Sequence, residues 1–434
     1  MVRHSTAPGA VRVGGARTRR GHLLVALALV CSTACGPRGP ESSGPDVILT
    51  PTADPATSQT VSWGTTASSA ATLEITPRDA PDQVTRVEGT SAKEESEGPE
   101  RVRATVTDLE ADTQYRYRVE SGEDGFDEWR SFTTAASAPE PFTFLYFGDV
   151  QTDIPDGAAP VIQAGLEAHP DADLIVHSGD LIDEARDARQ WQEWYDAYGA
   201  DVLAGRNQLP AVGNHEYDDG LSEFWPAQFP AAGNGPDAGA DLAETVSYTD
   251  YQGVRFVTLN SNYREAPADD ETEEWLDTQA LWLDSVLEDN PHDWAVVTFH
   301  HPLFPNRPDR DNEALRSAWL DTLEDNDVDL VLQGHDHSYG RGNLTDHRTD
   351  EDDTQTGPVY VVAVTGPKMY EAGPDLWEAN AAEVRGQRTD AQTFQAVAVD
   401  GDELEFTATT GAGDPVDTFT ISKQGETKRV VDEG

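Results

Sequence analysis

The chain has 434 residues, enough for two or three domains, and 80 acidic against 30 basic residues give it a net charge of −50. Such a surface repels polyanions, which excludes nucleic acid and anionic lipid as binding partners. An Asp-rich, Lys-poor composition also suits high salt, where ions screen self-repulsion. The alternative to salt adaptation is an acidic secreted protein whose negative charge keeps it soluble.

The first 40 residues have the opposite charge and the pattern of an export signal, predicted over residues 1–35. They contain six arginines and no acidic residue, which leaves 24 basic residues and all 80 acidic ones for the rest of the chain. Arg19 and Arg20 lie in a segment that resembles a twin-arginine motif. The apolar run that follows, Leu23–Val30, is too short to cross a bilayer, which takes about 20 residues.

Two processing routes fit the end of this signal. Residues 32–36 resemble a lipobox with Cys35 as the lipidated residue, which predicts a cell-surface lipoprotein attached only through that lipid. Cleavage by an ordinary signal peptidase near Ala34 would instead release a secreted or periplasmic protein. Cys31 and Cys35 are the only cysteines, so cleavage before Cys35 excludes a disulfide framework.

After a Gly, Pro and Ser-rich linker at residues 36–46, residues 47–135 predict a small all-β sandwich. The segment consists of short runs with alternating apolar residues, such as Val102–Val106 and Tyr115–Val119, separated by turn residues. Asp108–Tyr117 resembles the tyrosine corner of fibronectin type III domains, with Ala111 in the place of the usual Pro. We therefore expect a fibronectin type III-like domain.

Residues 140–422 show strand and helix patterns in alternation, which predicts a layered α/β domain. Two acidic segments are predicted to be mobile loops, Glu265–Glu274 and Asp346–Asp353. A disordered tail is predicted at residues 423–434. The predicted strands are Phe142–Phe147, Leu174–His177, Leu209–Val212, Val254–Asn260, Trp294–Phe299, Val328–Gln333, Val359–Val364, Ala396–Val399, Leu404–Thr409 and Thr418–Ser422. The predicted helices are Ala159–Ala168, Ala188–Tyr198, Thr278–Glu288 and Glu313–Asn326.

Polar residues follow five of these strands at the point where each strand ends. In an open α/β sheet, ligands bind at the carboxyl ends of the strands. We therefore expect these side chains to meet in one cavity. The candidate metal ligands are Asp149, Gln151, Asp180, Asn214, His300, His335 and His337.

The donor types indicate the metals. Carboxylate, amide and imidazole ligands suit Mn²⁺, Fe²⁺ or Zn²⁺, whereas calcium takes oxygen ligands and structural zinc prefers cysteine. Seven candidates are more than one ion needs, so we expect two ions about 3.5–4 Å apart that share one carboxylate.

Taken together, these motifs resemble the calcineurin-like metallophosphoesterases, in their purple acid phosphatase-like branch. The resemblance implies a four-layer α/β metallophosphoesterase β-sandwich, flanked by helices, after the fibronectin type III-like domain. It assigns Asp149 and His337 to the first of two divalent or mixed-valence ions and makes Asp180 the bridge. Asn214, His300 and His335 would bind the second ion, while Gln151 either binds through its amide oxygen or lines the site.

The same resemblance implies the mechanism. A metal-bound hydroxide would attack phosphorus in line, and His215 would protonate the leaving oxygen. Asp183 would fix the tautomer of His215 and stabilise its cation. Purple acid phosphatases have a tyrosine where this chain has Asp183, so we expect a colourless enzyme that does not need Fe³⁺.

Three further residues have two interpretations each. His301 either touches substrate or points into the sheet, and Arg341 is either a phosphate contact or structural. His177 lies within an apolar run, which favours a hydrogen-bonded core histidine over a metal ligand.

The sequence thus predicts an exported hydrolase of small phosphate monoesters. A phosphodiesterase or nucleotidase using the same site is one alternative. The other is a surface-binding protein in which the phosphoesterase domain is an inactive scaffold.

Overall fold

The structure, a computed structural model, describes residues 46–65, 71–92, 100–122, 125–268, 270–425 and 427–433. The predicted export signal with Cys35, and the predicted linker up to residue 45, lie outside these ranges. No helix within them has both the length and the apolar character that crossing a membrane requires.

The amino-terminal part of the described chain is built from short strands, as the alternating pattern predicts. In one of them, Tyr115, Tyr117 and Val119 are buried while Arg116 and Arg118 between them are half-buried. Tyr115 Oη accepts a 2.9 Å hydrogen bond from Glu110 N, which closes the predicted tyrosine corner. The strands are β1 (Val47–Pro51), β2 (Gln59–Thr65), β3 (Thr72–Pro77), β4 (Thr85–Glu88), β5 (Thr90–Ser91), β6 (Glu100–Val106), β7 (Gln114–Gly122), β8 (Gly125–Phe126) and β9 (Arg130–Thr133).

The remaining chain alternates strands with helices up to residue 330 and is then mainly strands. In chain order the elements are β10 (Phe142–Phe147), α1 (Ala159–Ala168), β11 (Leu174–His177), α2 (Ala188–Tyr198), α3 (Ala200–Leu203), β12 (Asn207–Pro210), α4 (Phe224–Gln228), α5 (Gly239–Thr245), β13 (Ser247–Tyr251), β14 (Val254–Thr258), α6 (Thr272–Glu288), β15 (Trp294–Thr298), α7 (Glu313–Asp325), β16 (Leu330–Gln333), β17 (Tyr339–Leu344), β18 (Thr354–Gln355), β19 (Val359–Val362), α8 (Asp375–Ala379), β20 (Ala382–Arg388), β21 (Thr393–Asp400), β22 (Glu403–Thr410), β23 (Pro415–Gln424) and β24 (Thr427–Asp432).

Two sheets pack face to face in this part of the chain. Within the described residues, the larger sheet has the order β18-β24-β23-β22-β21-β10-β11-β12-β1-β2-β6-β5, and the smaller one β13-β14-β15-β16-β19-β17-β20. One apolar core lies between them and takes Phe144 and Tyr146 from the first sheet and Val296 and Leu332 from the second. Because side chains alternate along a strand, Leu145 and Phe147 of β10 face the outer side of the larger sheet.

Helices cover the outer faces of both sheets. Trp191 and Trp194 of α2 pack with Leu145 and Phe147 of β10 on the larger sheet. Helices α6 and α7 cover the smaller sheet in the same way, with Trp319 at the centre of that core. The arrangement is therefore helix, sheet, sheet, helix, which confirms the predicted four-layer sandwich.

The amino-terminal strands share hydrogen bonds with the second part of the chain. Strand β1 pairs in parallel with β12, with Leu49 opposite Asn207. Gln59 Nε2 also donates a 2.8 Å hydrogen bond to Asn207 Oδ1. The larger sheet thus runs through both parts, which the strand pattern alone does not indicate.

Two predictions about exposed segments are wrong. Thr427–Asp432, predicted as part of a disordered tail, forms β24 and pairs with β23. Lys428 anchors this strand because its Nζ lies 3.3 Å from a carboxylate oxygen of the buried Asp329. Helix α6 begins at Thr272, within the predicted acidic loop, because Glu273 and Glu274 in its first turn favour the positive end of the helix dipole.

Candidate metal centre

The predicted ligands lie where neighbouring parallel strands end. Strands β10, β11 and β12 are parallel in the larger sheet, and β14, β15, β16 and β19 are parallel in the smaller one. Their carboxyl ends lie at one edge of the two stacked sheets, which brings the loops after β10, β11, β12, β15 and β16 together. All six residues assigned to the ions by resemblance come from these loops.

The ligand-bearing loops have unusual backbone conformations. Asp149, Asp180, His335 and His337 have φ angles of 39°, 53°, 72° and 47°, in the left-handed region that non-glycine residues rarely adopt. Strain of this kind persists where the surrounding structure imposes it, typically at functional sites. A Cβ atom on Gly213 would lie 2.2 Å from Asp180 Oδ1, which explains the glycine at that position.

The donor atoms form two groups that share Asp180. Within each group the potential ligand atoms lie within 4.8 Å of one another. One group is Asp180, His300 and His335, and the other is Asp149, Asp180 and His337. This is the division that the resemblance implies for a bridged pair of ions.

Hydrogen bonds to backbone carbonyls orient two of the imidazoles. His300 Nδ1 donates to Ser178 O at 2.7 Å, which turns its Nε2 to within 3.2 Å of Asp180 Oδ2. His337 Nδ1 donates to Lys368 O at 2.9 Å, which places its Nε2 3.5 Å from Asp149 Oδ1. Metal-binding histidines are commonly oriented in this way by their second nitrogen.

The two amide side chains complete the groups. Asn214 Oδ1 lies 3.2 Å from His300 Nε2, beside the second group. Gln151 Nε2 lies 2.6 Å from Asp180 Oδ2 and 3.4 Å from His337 Nε2, beside the first. A half-turn of the Gln151 amide would direct its oxygen to the same place, as a metal ligand requires.

Unsatisfied polar atoms also fit a bound cation. Asp149 Oδ1 and Gln151 Oε1 are buried and have no hydrogen-bond partner among the described residues. A buried carboxylate oxygen without a partner is costly unless a proton or a cation compensates it. The residues present therefore fit a metal centre.

Burial and mutual contact shift the pKa values in this cavity. Burial raises the pKa of Asp149 well above its ordinary value. Burial would lower the pKa of His300, but the carboxylate of Asp180 raises it to about 9. Burial alone would raise the pKa of Asp180, but the attraction of His300 outweighs burial and lowers that pKa. The buried carboxylates and imidazoles of this cavity can therefore bind either protons or metal cations, and metal binding would displace the protons.

His215 lies at the edge of this cavity, with about a quarter of its side chain exposed. Its Nδ1 donates to the backbone carbonyl of Asp183 at 2.6 Å, and its Nε2 lies 4.0 Å from Asp180 Oδ2. The Asp183 carboxylate is 3.6 Å from His215 Nδ1 and largely solvated. Asp183 therefore fixes the tautomer through its main chain, whereas the sequence analysis expected its carboxylate to do so.

Glu216 supports the site from within, a role that its position in the sequence does not indicate. It is fully buried, and it accepts hydrogen bonds from the backbone N–H groups of Asp180, Leu181 and Gly213 at 3.0, 2.8 and 2.7 Å. Its carboxylate thus ties the loop after β11 to the loop after β12. The adjacency of Glu216 to His215 was visible in the sequence, but its partners 35 residues away were not.

The structure does not support substrate contact for Arg341. Its buried guanidinium donates to both carboxylate oxygens of Asp417, at 2.6 and 2.9 Å, and to Asp432 at 2.7 Å. The group also lies 4.7 Å from the ring centroid of Phe419. Arg341 is therefore structural, because its charge is already neutralised within the sheet.

The two remaining histidines are buried. His301 is 2% exposed, with its ring centroid 4.1 Å from that of His335 and its Nδ1 3.1 Å from Ser261 Oγ. It packs behind a candidate ligand, which agrees with the second interpretation, a side chain turned into the sheet, and not with a substrate contact. His177 Nε2 lies 2.9 Å from Gln208 Oε1 in the core, as expected.

Comparisons with known proteins agree with this arrangement. The calcineurin-like phosphoesterase family model matches residues 142–339, and the purple acid phosphatase N-terminal domain matches residues 45–134. The chain therefore joins a calcineurin-like phosphoesterase domain to a purple acid phosphatase N-terminal domain. The first match includes all the ligand-bearing loops, and the second covers the predicted fibronectin type III-like segment.

The relatives of this chain are distant in sequence. An uncharacterised protein of Mycobacterium tuberculosis is 26% identical over 304 residues, covering 60% of this chain and 56% of its own. Purple acid phosphatase 1 of Ipomoea batatas is 23% identical over 294 residues, covering 60% and 58%. The chain thus spans little more than half the length of these relatives.

A solved structure shows the same fold. The purple acid phosphatase from yellow lupin (Lupinus luteus) seeds aligns with a TM-score of 0.68 at 16% identity, over 87% of this chain and 74% of the lupin chain. At that identity the alignment supports the two-part architecture and not the substrate.

Proposed function

We propose that this phosphoesterase hydrolyses small phosphate monoesters at a centre of two metal ions. The observation that carries the proposal is the pair of ligand groups sharing Asp180. When bound, two such ions lower the pKa of a coordinated water from about 15.7 towards about 7 and neutralise phosphoryl oxygens. Mn, Fe and Zn all fit the mixed oxygen and nitrogen donors.

The chain's own residues supply the remaining chemistry. Asp149 and His337 would hold one ion, His300, His335 and Asn214 the other, and Asp180 both. His215 would protonate the leaving oxygen in its imidazolium form: its Nδ1–H is held by Asp183 O, so the proton it gives up is the second one, on Nε2, which lies 4.0 Å from Asp180 Oδ2. Such a proton donor typically contributes about 10²–10⁴-fold to the rate.

The test is hydrolysis of phenyl phosphate before and after chelation, with Mn²⁺, Zn²⁺ or Fe²⁺ added back. We expect activity to disappear on chelation and to return with at least one ion, at two ions per chain. His335→Ala should remove activity, while His292→Ala, in a histidine near Asp250 and outside the ligand groups, should not. Full activity in metal-free protein would refute the proposal.

The alternatives have separate readouts. A preference for bis-aryl over mono-aryl phosphate would indicate a phosphodiesterase. A scaffold without catalytic activity would bind no stoichiometric metal, and the complete ligand set argues against that alternative.

We also propose that the protein is exported, as the arginine-rich leader and the lipobox-like segment suggest. Labelling with a radioactive fatty acid and cell fractionation test this. Wild-type protein should carry label, and Cys35→Ser should not. Export without label would favour cleavage near Ala34, and retention in the cytoplasm would refute export.

A further inference from the structure

A cluster of cations surrounds one aromatic ring beside the metal centre. The ring of Tyr370 lies 4.7 Å from that of His337, between centroids. Its centroid is 4.6 Å from the guanidinium carbon of Arg307, 5.7 Å from that of Arg310 and 5.8 Å from Lys368 Nζ. We call these four residues, Arg307, Arg310, Lys368 and Tyr370, the cationic rim.

The rim is fixed to the metal-ligand loop by backbone contacts. Tyr370 N donates to His337 O at 3.2 Å, and Lys368 O accepts the 2.9 Å hydrogen bond from His337 Nδ1. The position of Lys368 is therefore set by the same contact that orients a predicted metal ligand. The cationic rim therefore adjoins the loop that carries His337.

Two of the three cations are already neutralised. Arg310 Nη1 lies 2.9 Å from an oxygen of the buried Asp336 and donates to His335 O at 2.7 Å. Arg307 makes two contacts to Asp309, at 2.7 and 3.1 Å. These pairs hold the loop in place and leave little net charge.

Lys368 differs from the other described lysines. Lys423 and Lys428 both lie within 3.3 Å of the buried carboxylate of Asp329. No carboxylate partner is found for Lys368 among the described residues; its ammonium lies 5.8 Å from the ring centroid of Tyr370. The chain has 80 acidic residues and four lysines, so an unpaired ammonium beside a metal ligand indicates a place that an external anion occupies.

We propose that Lys368, backed by the ring of Tyr370, binds a second negatively charged group of the substrate. The substrate class is then a phosphate monoester whose alcohol carries a carboxylate or a further phosphate. This inference rests on the proposed phosphomonoesterase function. It would allow a protein of such negative charge to hold an anionic substrate, with one anionic group at the metal site and the other at Lys368.

The test compares substrates that differ by one charge, using metal-loaded enzyme. We would measure kcat/KM for 4-carboxyphenyl phosphate and for the neutral 4-carbamoylphenyl phosphate, and take their ratio in each variant. Intrinsic differences between the leaving groups cancel when the ratios are compared. Benzene-1,4-diyl bisphosphate, as a third substrate, shows whether the second anionic group is better as phosphate than as carboxylate.

The informative variants are Lys368→Met, Lys368→Arg and Arg103→Met. Arg103→Met is the matched control, because it removes one positive charge from the exposed face of β6. A hydrogen bond to a charged group is worth about 1.5–3 kcal/mol, so the ratio should fall about tenfold or more in Lys368→Met. The ratio should keep its wild-type value in both Lys368→Arg and Arg103→Met.

Two results would overturn the inference. An unchanged ratio in Lys368→Met at full metal content, including an equal loss on both substrates, would show that Lys368 does not bind the second anionic group. An equal fall in Arg103→Met would attribute the preference to overall charge. In those cases the enzyme still hydrolyses phosphate esters, whereas wild-type protein inactive on every substrate would refute the proposed function itself.

Discussion

His215 Nδ1 donates a 2.6 Å hydrogen bond to the backbone carbonyl of Asp183, and the carboxylate of the same residue lies 3.6 Å from that nitrogen. The two contacts have different consequences. The carbonyl fixes which imidazole nitrogen carries the proton, while the carboxylate, 44% exposed, can add only a solvent-screened attraction. Position 183 therefore acts mainly through its main chain.

The first prediction follows from this pair. Asp183→Asn should lower kcat by no more than about fivefold, because exposed charge pairs are worth about 0.2–1 kcal/mol and the carbonyl remains. His215→Asn should lower kcat by about 10²–10⁴-fold through loss of the proton donor. Steady-state kinetics with metal content measured in parallel would check both. A loss in Asp183→Asn as large as that in His215→Asn would show that the carboxylate is essential.

The second prediction concerns Arg341. Arg341→Met leaves the buried Asp417 with only the hydroxyl of Tyr339 and without its charged partner, so the free energy of unfolding should fall by about 3–5 kcal/mol. Denaturant unfolding would measure this, and kcat/KM per folded molecule should stay unchanged. The double variant Arg341→Leu/Asp417→Leu should recover part of the stability, since it removes both charges. A raised KM at unchanged stability would restore the substrate contact that we reject.

The third prediction is a pH dependence of stability that comes from His177. Burial lowers the pKa of His177 to about 4, whereas an unfolded histidine titrates near 6.5. Between these values the unfolded chain binds the extra proton, so the free energy of unfolding falls as pH falls from about 6.5 to about 4, by about 3 kcal/mol in all. Above about pH 6.5 the effect vanishes.

His177→Gln isolates this contribution, because an amide can still donate to Gln208. The difference in unfolding free energy between wild type and His177→Gln should shrink as pH falls through that window. A difference that is constant from pH 7 to pH 4 would contradict the prediction.

The fourth prediction follows from the net charge of −50. Anionic substrates approach this surface against repulsion, and salt shortens the Debye length from about 30 Å at 0.01 M to about 8 Å at 0.15 M. We expect kcat/KM for phenyl phosphate to rise over that range, while kcat at saturation stays constant. A flat or falling kcat/KM would mean that local charge at the site outweighs the overall field.

The fifth prediction concerns Gln151. If its amide oxygen binds the first ion, Gln151→Leu should selectively lower the affinity for that ion. Metal analysis at limiting metal should then find closer to one ion than two per chain. The ion held by His300 and His335 should be retained. Two tightly bound ions in Gln151→Leu would mean that the side chain only lines the site.

Much of the metal centre follows from sequence alone, for a physical reason. Strand periodicity locates strand ends, and parallel strands place those ends at one edge, so Asp149, Asp180 and His300 could be brought together without coordinates. Glu216 and Asp183 could not be assigned in the same way. Their contacts depend on the paths of two loops after the strands, and a strand pattern carries no information about those paths.

By itself the sequence determined a layered α/β domain after a β-rich one, the order of the candidate ligand loops and the choice of oxygen and nitrogen donors, because burial period and donor chemistry are local properties; the four layers came from the family resemblance. The tertiary structure alone decided that Arg341 pairs with Asp417 and that β1 extends the sheet beside β12. It alone also showed that Lys368, near His337, has no carboxylate partner within the described part of the chain. Each of these depends on which distant segments become neighbours, and that is set by sheet order and register.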